Sequence, residues 1–265
     1  MKVLVTGHKG FIGKNMLGWL QQQEEIWHVD GWEWHPVERP DVSSFDWVIH
    51  LGANTDKSDK DVELVLKQNL DFSQWLFNEC NHHGVHLQYA STSDVYGNTK
   101  NFAESAACHP ETPYAWSKYL FDRWVFQQPH NIYVQGFRYF NVYGRYMKNN
   151  LIQVYRDQAR KEGKIILPQG SENYKIDWTW VGDVCKLHVD FIKEVHGSGL
   201  WNVGAGLPHS ILDIAEEVAE IENCEVEIVP VEEELRTRKI CANLTELKKT
   251  IGKRKWLNVF EYINQ

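Results

Sequence analysis

The chain has 265 residues, an ordinary soluble composition apart from 12 tryptophans, and a formal charge of −8 from 28 basic and 36 acidic side chains. That length buries a sizeable core, either as one large α/β domain or as a core with a smaller lobe. The negative balance offers no long-range attraction to nucleic acid or to an anionic membrane, so an anionic ligand has to be held by local donors.

Lys2–Thr6 reads as a buried strand, and Phe11–Gln23 as an amphipathic helix after a glycine turn. The turn places Gly7, Gly10 and Gly13 at GxxGxxG spacing. In a dinucleotide-binding turn the first glycine permits the tight bend, the second lets backbone approach a pyrophosphate, and the third lets helix pack on strand. The diphosphate then meets the free N–H groups and positive end of the helix. Trp27–Asp30 is a second short strand, with Asp30 at its end and 23 residues beyond Gly7. An acid there accepts both ribose hydroxyls and repels a 2′-phosphate, which favours NAD, with NADP as the alternative because Lys9 and Arg39 offset the preference.

Phe45–Leu51 is a further apolar run, followed by a polar loop, a helix from about Asp61 to His82, and a strand over Val85–Ala90. Ser91-Thr92-Ser93-Asp94-Val95-Tyr96-Gly97 follows that strand directly, so its hydroxyls face the crevice where α/β sheets bind ligands. Read without chemistry, the same segment is a turn or helix cap. A helix over Pro113–Gln127 carries Tyr114 and Lys118 four residues apart, on one face. A cation beside a phenol stabilises the phenolate and lowers its pKa toward useful acid/base range. Tyr133–Tyr139 is the next strand. This alternation predicts an α/β fold, a doubly wound parallel Rossmann sheet.

After Gly144 the rhythm changes. Leu151–Lys161 and Ile211–Ile221 read as helices, Lys164–Leu167, Gly199–Val203 and Val226–Val229 as strands, and Asp183 as the cap of a helix to about Val195. Residues 1–145 with 178–204 are assigned to the dinucleotide-binding domain, and 146–177 with 205–265 to a smaller, interwoven substrate lobe. The runs Glu232–Glu234 and Lys253–Lys255 read as solvated ends of elements. Tryptophans such as Trp19, Trp47 and Trp75 lie in apolar patterns and read as core. The five scattered cysteines have no zinc-site spacing and read as free thiols in a reducing compartment. The first apolar segment is too short for a signal-peptide core, and no run approaches the ~20 apolar residues of a membrane span, so a cytoplasmic protein is expected.

The glycine turn, the segment 91–97, Tyr114-Ala-Trp-Ser-Lys118 and Phe137-Arg-Tyr-Phe-Asn141-Val-Tyr-Gly144, in this order, resemble the extended short-chain dehydrogenase/reductases of the NAD-dependent epimerase/dehydratase family. The resemblance runs from the first strand to the last helix. It implies an NAD(P)-dependent epimerase acting on a nucleotide-diphosphate sugar through a transient keto sugar, and a homodimer formed through helices of the main sheet; the alternatives are a nucleotide-sugar decarboxylase or dehydratase on the same scaffold, or a non-catalytic dinucleotide-binding protein. Thr92 would orient the substrate, Tyr114 take its hydroxyl proton, and Lys118 lower the tyrosine pKa and bind the nicotinamide ribose. Phe11 and Ile12 belong to the cofactor turn. Asp41 and Val42 fit the segment that meets adenine, and Leu51, Gly52 and Ala53 the wall beside the cofactor ribose. Asn141 would contact the substrate diphosphate.

Within the family, the segments 137–144 and 170–183 are most similar to heptose epimerases. Lys148 aligns with their second acid/base lysine, or is an ordinary surface lysine. Asp94 stands where decarboxylases and dehydratases of the family carry an acid, or caps the turn. Three departures from the family pattern stand out. The stretch between Asp30 and Asp41 is short, which implies a pruned helix or strand. His8 occupies a position where a small residue is common. The family's phosphate-binding arginine is Ile176 here, leaving Lys175, Arg236 or Arg238 to hold the diphosphate.

Overall fold

Val3, Leu4 and Val5 are all buried, an apolar run suited to a strand covered on both faces. They form the centre of β1 (Lys2–Thr6), the first strand of a parallel six-stranded sheet. The computed structural model describes residues 1–148, 150–231 and 237–265; Arg236 and the acidic run Glu232–Glu234 lie outside them. In chain order the first half contains α1 (Phe11–Leu20), β2 (His28–Trp32), β3 (Trp47–His50), α2 (Val62–Leu66), a π-helical turn (Lys67–Asp71), α3 (Phe72–His83), β4 (His86–Thr92) and a 3-10 turn (Ser93–Tyr96). Next come α4 (Pro113–Val125), β5 (Val134–Tyr139), β6 (Val142–Tyr143), α5 (Leu151–Glu162), β7 (Lys164–Pro168), β8 (Tyr174–Asp177), β9 (Thr179–Trp180) and α6 (Val181–Glu194). The chain closes with β10 (Gly199–Val203), β11 (Pro208–Ser210), α7 (Ile211–Glu222), β12 (Glu225–Val229), β13 (Arg238–Ile240), α8 (Thr245–Ile251) and α9 (Val259–Ile263).

The main sheet runs β10-β5-β4-β3-β1-β2, with every neighbouring pair parallel. One face is covered by α1 and α6 through Met16, Leu20, Cys185 and Val189, and the other by α3 and α4 through Phe72, Leu76, Phe121 and Val125. Each fully buried side chain of this kind contributes roughly 1.5–3 kcal/mol. β2 is the edge strand, and residues 33–46 form no helix or strand, so the short segment after Asp30 leaves the sheet without a further strand there.

The remaining strands form small sheets, β11-β8-β13 and β12-β7, beside a separate core built on α5, α7 and α9. β8 is tied to the main sheet by Asp177, fully buried, whose carboxylate accepts N–H bonds from Ala205 at 3.0 Å, Gly206 at 2.9 Å and Ala242 at 3.0 Å. Trp47 is buried, while Trp19 and Trp75 pack partly buried against the two faces.

Two local readings are corrected. Asp183 does not cap α6; Trp180 is at the cap, and the Asp183 carboxylate accepts the Leu257 N–H at 2.7 Å. The helix expected from about Asp61 is broken in register by the π-helical turn, which aims Asn69 into the interior. Among the described residues no helix is long and apolar enough to cross a membrane.

Candidate active site

The glycine turn crosses from β1 to α1 at the carboxyl end of the sheet. Gly7 has φ +75°, and a Cβ there would lie 2.5 Å from Gly52 backbone; one on Gly13 would lie 2.1 Å from the Gly7 carbonyl oxygen. Side chains are excluded from both positions, leaving bare backbone. Gly10 caps α1 with no side-chain bond, so the N–H groups of the first turn, including those of Phe11 and Ile12, are free for an anion.

Beside the turn lies a cleft lined by Gly7, Trp32, Glu33, Trp34, Gly52 and Ala53. β2 does not end at Asp30 but continues through Gly31 and Trp32, so Asp30 is two residues inside the strand. Its carboxylate bonds the Gly31 N–H at 2.7 Å, and the acid beyond the strand end is Glu33. Glu33 accepts the Lys9 N–H and stands 3.3 Å from the His8 ring, which fills the space over Gly31. The strand is thus longer than its apolar run, and Glu33 lines the cleft from beyond its end. Asp41 and Val42 also stay out of this cleft. Asp41 is exposed, with its carboxyl held below its ordinary range by the Ser43 hydroxyl and N–H, while Val42 is buried among Phe72 and Leu76. Leu51 packs partly buried between the cores beneath the turn.

The cleft floor is hydrogen-bonded. Ser73 donates to the Asn69 carbonyl, so it accepts from His50 Nε2 at 2.8 Å, and His50 Nδ1 accepts from Thr6 at 2.6 Å. Burial first, then the Lys118 charge, lowers His50 to about 3, which keeps the ring neutral. Asn69 bonds the Asn54 backbone at 2.7 and 2.9 Å and donates to Ser117 at 3.0 Å.

A second cleft collects Phe11, Ile12, Thr92, Asp94, Tyr114 and Asn141 from the main sheet, and Ile176 and Arg238 from the small sheet opposite. Thr112 caps α4 and Pro113 starts it, which fixes Tyr114 on the first turn. Thr92 accepts the Asp94 N–H at 3.2 Å. The sequence expectation of a lowered tyrosine pKa is overturned. Burial pushes the Tyr114 phenol up, the Asp94 charge adds to this, and hydrogen bonding by Thr92 opposes it. The Lys118 ammonium donates to the Ala90 carbonyl at 3.0 Å and is lowered by burial to about 8, against a raising influence from Asp122. Asn141 takes φ +32°, a left-handed backbone that asparagine tolerates better than most residues, and its carbonyl accepts the Thr179 N–H at 3.2 Å.

Of the expected diphosphate ligands, Arg238 lines the cleft and donates to the Gly97 carbonyl at 2.9 Å. Lys175 does not. Strand alternation puts Tyr174 and Ile176 on the cleft face of β8, leaving Lys175 exposed on the other. Lys148 is exposed and does not line the cleft. Residues that motif reading missed include the buried pair Asp122–Arg138 at 2.9 Å, with Ser91 on Asp122 at 3.0 Å. Its signal was available: Asp122 is one helical turn beyond Lys118, and Arg138 lies within the 137–144 motif.

Fold and site together define a Rossmann-type dinucleotide enzyme with a tyrosine and a lysine at one end of a parallel sheet. The chain belongs to the NAD dependent epimerase/dehydratase family, whose model matches residues 3–204. Its cofactor is NAD(P), which the glycine cradle and uncapped α1 terminus fit. It is similar to the ADP-L-glycero-D-manno-heptose-6-epimerase of Thiobacillus denitrificans, 30% identical over 259 residues, covering 83% of this chain and 77% of the relative. The Helicobacter pylori ADP-L-glycero-D-manno-heptose-6-epimerase superposes with TM-score 0.87 at 23% identity, over 99% of this chain and 94% of that one. A Thermotoga maritima UDP-glucose 4-epimerase with UDP-glucose gives TM-score 0.82 at 21% identity, over 99% and 96% of the two chains.

Proposed function

We propose that this enzyme is a nucleotide-sugar epimerase working through a transient keto sugar. The observation that carries the reading is the meeting of Thr92 and Tyr114 in one cleft that also holds Arg238, a cation suited to a diphosphate. Thr92 orients a sugar hydroxyl, and Tyr114 removes its proton as the carbon is oxidised. Lys118, buried beneath, is the cation that binds the nicotinamide ribose. A nicotinamide bound there supplies hydride acceptance and return, and a positive ring charge that favours the phenolate. Glu33, at the strand end, takes the ribose-binding role first expected of Asp30, and Trp32 and Trp34 offer flat apolar walls for adenine. Asn141 remains the proposed partner of the substrate diphosphate. The similarity to heptose and UDP-glucose epimerases supports the same reading. The homodimer belongs to the same proposal, and Val62, Trp116 and Leu120, 48%, 47% and 38% exposed on α2 and α4, offer it an apolar surface.

The Asp94 carboxylate in the cleft favours a second reading, elimination of water on the same scaffold. Mass spectrometry of the product separates the two, since epimerisation keeps mass and dehydration loses water. Screening ADP-, GDP-, UDP- and dTDP-sugars for thermal stabilisation identifies the nucleotide. Tyr114→Phe is expected to lose nearly all turnover while still binding NAD; wild-type-like activity in that variant sinks the assignment.

A further inference from the structure

His8 is the departure in the glycine turn that the mechanism above leaves without a role. Its ring lies against β2, where a Cβ on Gly31 would stand 2.4 Å from Cγ and 2.6 Å from Cδ2 of the imidazole. The ring keeps that place because residue 31 has no side chain. His8 Nδ1 is buried, makes no hydrogen bond among the described residues, and stands 3.3 Å from Glu33 Oε1. A carboxylate only accepts, so the contact is favourable when Nδ1 carries a proton, as it does in one neutral tautomer and in the imidazolium.

The turn and the strand end are also stitched together by backbone. Gly7 N–H donates to the Trp32 carbonyl at 2.8 Å, and Lys9 N–H donates to Glu33 Oε1. Lys9 and His8 thus converge on one oxygen, while Glu33 Oε2 has no hydrogen bond among the described residues. Glu33 is the one charged side chain among the described residues lining the cofactor cleft. Arg39 is engaged outside it. Its guanidinium lies 5.6 Å and 5.5 Å from the Phe72 and Trp75 ring centres and donates to the His35 and Glu38 carbonyls at 3.2 and 2.9 Å.

We propose that His8 is a positioning residue for Glu33, holding its carboxylate at the end of β2 so that the site selects NAD over NADP. A glutamate side chain that turns freely swings into solvent and makes room for a 2′-phosphate. One held on Oε1 by two neighbours keeps Oε2 for a ribose hydroxyl and meets a 2′-phosphate with its charge in place. This inference rests on the reading of Glu33 as the ribose acid and adds the residue that fixes it.

The test is equilibrium binding of NAD and of NADP to the full-length protein freed of nucleotide. The signal is quenching of tryptophan emission, since Trp32 and Trp34 line the cleft. Wild type is expected to bind NAD at least about tenfold more tightly. Glu33→Gln is expected to bring the two within about threefold, which checks the acid itself. His8→Phe keeps a ring over Gly31 without a donor, and is expected to lower the NAD preference at least about threefold. His8→Asn, whose amide offers a donor near the place of Nδ1, is expected to keep the preference within about twofold of wild type. Gly31→Ala retains His8 but denies its ring the space over β2, and is expected to act like His8→Phe. It replaces that variant if ligand-free unfolding midpoints show His8→Phe misfolded. A preference unchanged in His8→Phe and Gly31→Ala, or lost equally in His8→Asn and His8→Phe, overturns the inference, and a response in Glu33→Gln then leaves the reading of the acid intact. No response in Glu33→Gln, or no NAD preference in wild type, overturns that reading and the inference with it.

Discussion

Two polar networks flank the carboxyl ends of β4 and β5, one charged and one neutral. Strand alternation sends Arg138 to the α4 face and Tyr139 to the α6 face. On the α4 face, Asp122 pairs with Arg138, which also donates to Tyr96 at 3.0 Å, and Tyr96 donates to Asn202 at 2.7 Å. On the α6 face, Tyr139 bonds His188 Nε2 at 2.5 Å, His188 Nδ1 bonds Gln88 at 2.7 Å, Gln88 donates to Gln135 at 2.8 Å, and Gln135 donates to the Gly197 carbonyl at 3.0 Å. The second ends on Tyr139 of the substrate cleft, and the first touches that cleft through Ser91, which donates to Asp122. Burial lowers Lys118 on the first face to about 8, so its charge changes near neutrality. Burial lowers His188 on the second to about 3, so it stays neutral. We propose that the α4 face exchanges protons and that the α6 face holds Tyr139 still.

If that division is right, substitutions on the α4 face change rate and those on the α6 face change stability. The largest expected effect is Lys118→Met, with turnover lower by about a thousandfold and a cleft that still binds substrate. Turnover within tenfold of wild type would break the comparison. Asp122→Asn leaves Arg138 buried and unpaired, and costs about 3 kcal/mol in chemical unfolding as well as activity.

His188→Gln separates the faces through pH. The folded-state pKa of His188 and of His50 lies below the unfolded value, so the unfolded chain binds more protons between about 6.5 and 3. Stability therefore falls as pH drops through that window, by at most about 1.4 kcal/mol per unit for each ring. Removing one ring is expected to flatten the acid limb of an unfolding titration while turnover stays within about threefold. The smallest effect belongs to Gln88→Leu, which strands the His188 Nδ1–H and costs about 1–2 kcal/mol with turnover unchanged. A large turnover loss there would place proton traffic on the α6 face.

What was legible in the sequence was local. A glycine turn is a backbone requirement written in consecutive residues, and Tyr114 and Lys118 are joined by a single helical turn. The doubly wound sheet followed from alternating apolar runs. Other features depended on where an element stops or turns. The end of β2 was misplaced because the strand runs two residues past its apolar stretch, which brings Glu33 to the cleft. Lys175 lost its place because the β8 pleat presents its neighbours instead. The predicted lowering of the Tyr114 pKa failed because spacing carries no information about burial, or about the Ala90 carbonyl that holds Lys118. His8 and Glu33 are 25 residues apart in sequence and meet only through the parallel pairing of β1 with β2.

The π-helical turn at Lys67–Asp71 has a consequence for how this chain tolerates length changes. It is one residue wider than an α-helical turn, and that surplus lets Asn69 reach the loop after β3 and α4 together. Deleting a residue there would make a more regular helix. It would also rotate α2 by about 100° against α3, detach Asn69 from Asn54 and Ser117, and free the loop whose Lys57 lines the substrate cleft. A shortening that looks harmless in a helix alignment would thus unfasten the substrate cleft, whereas the surface loop at 33–46 contributes no strand to the sheet.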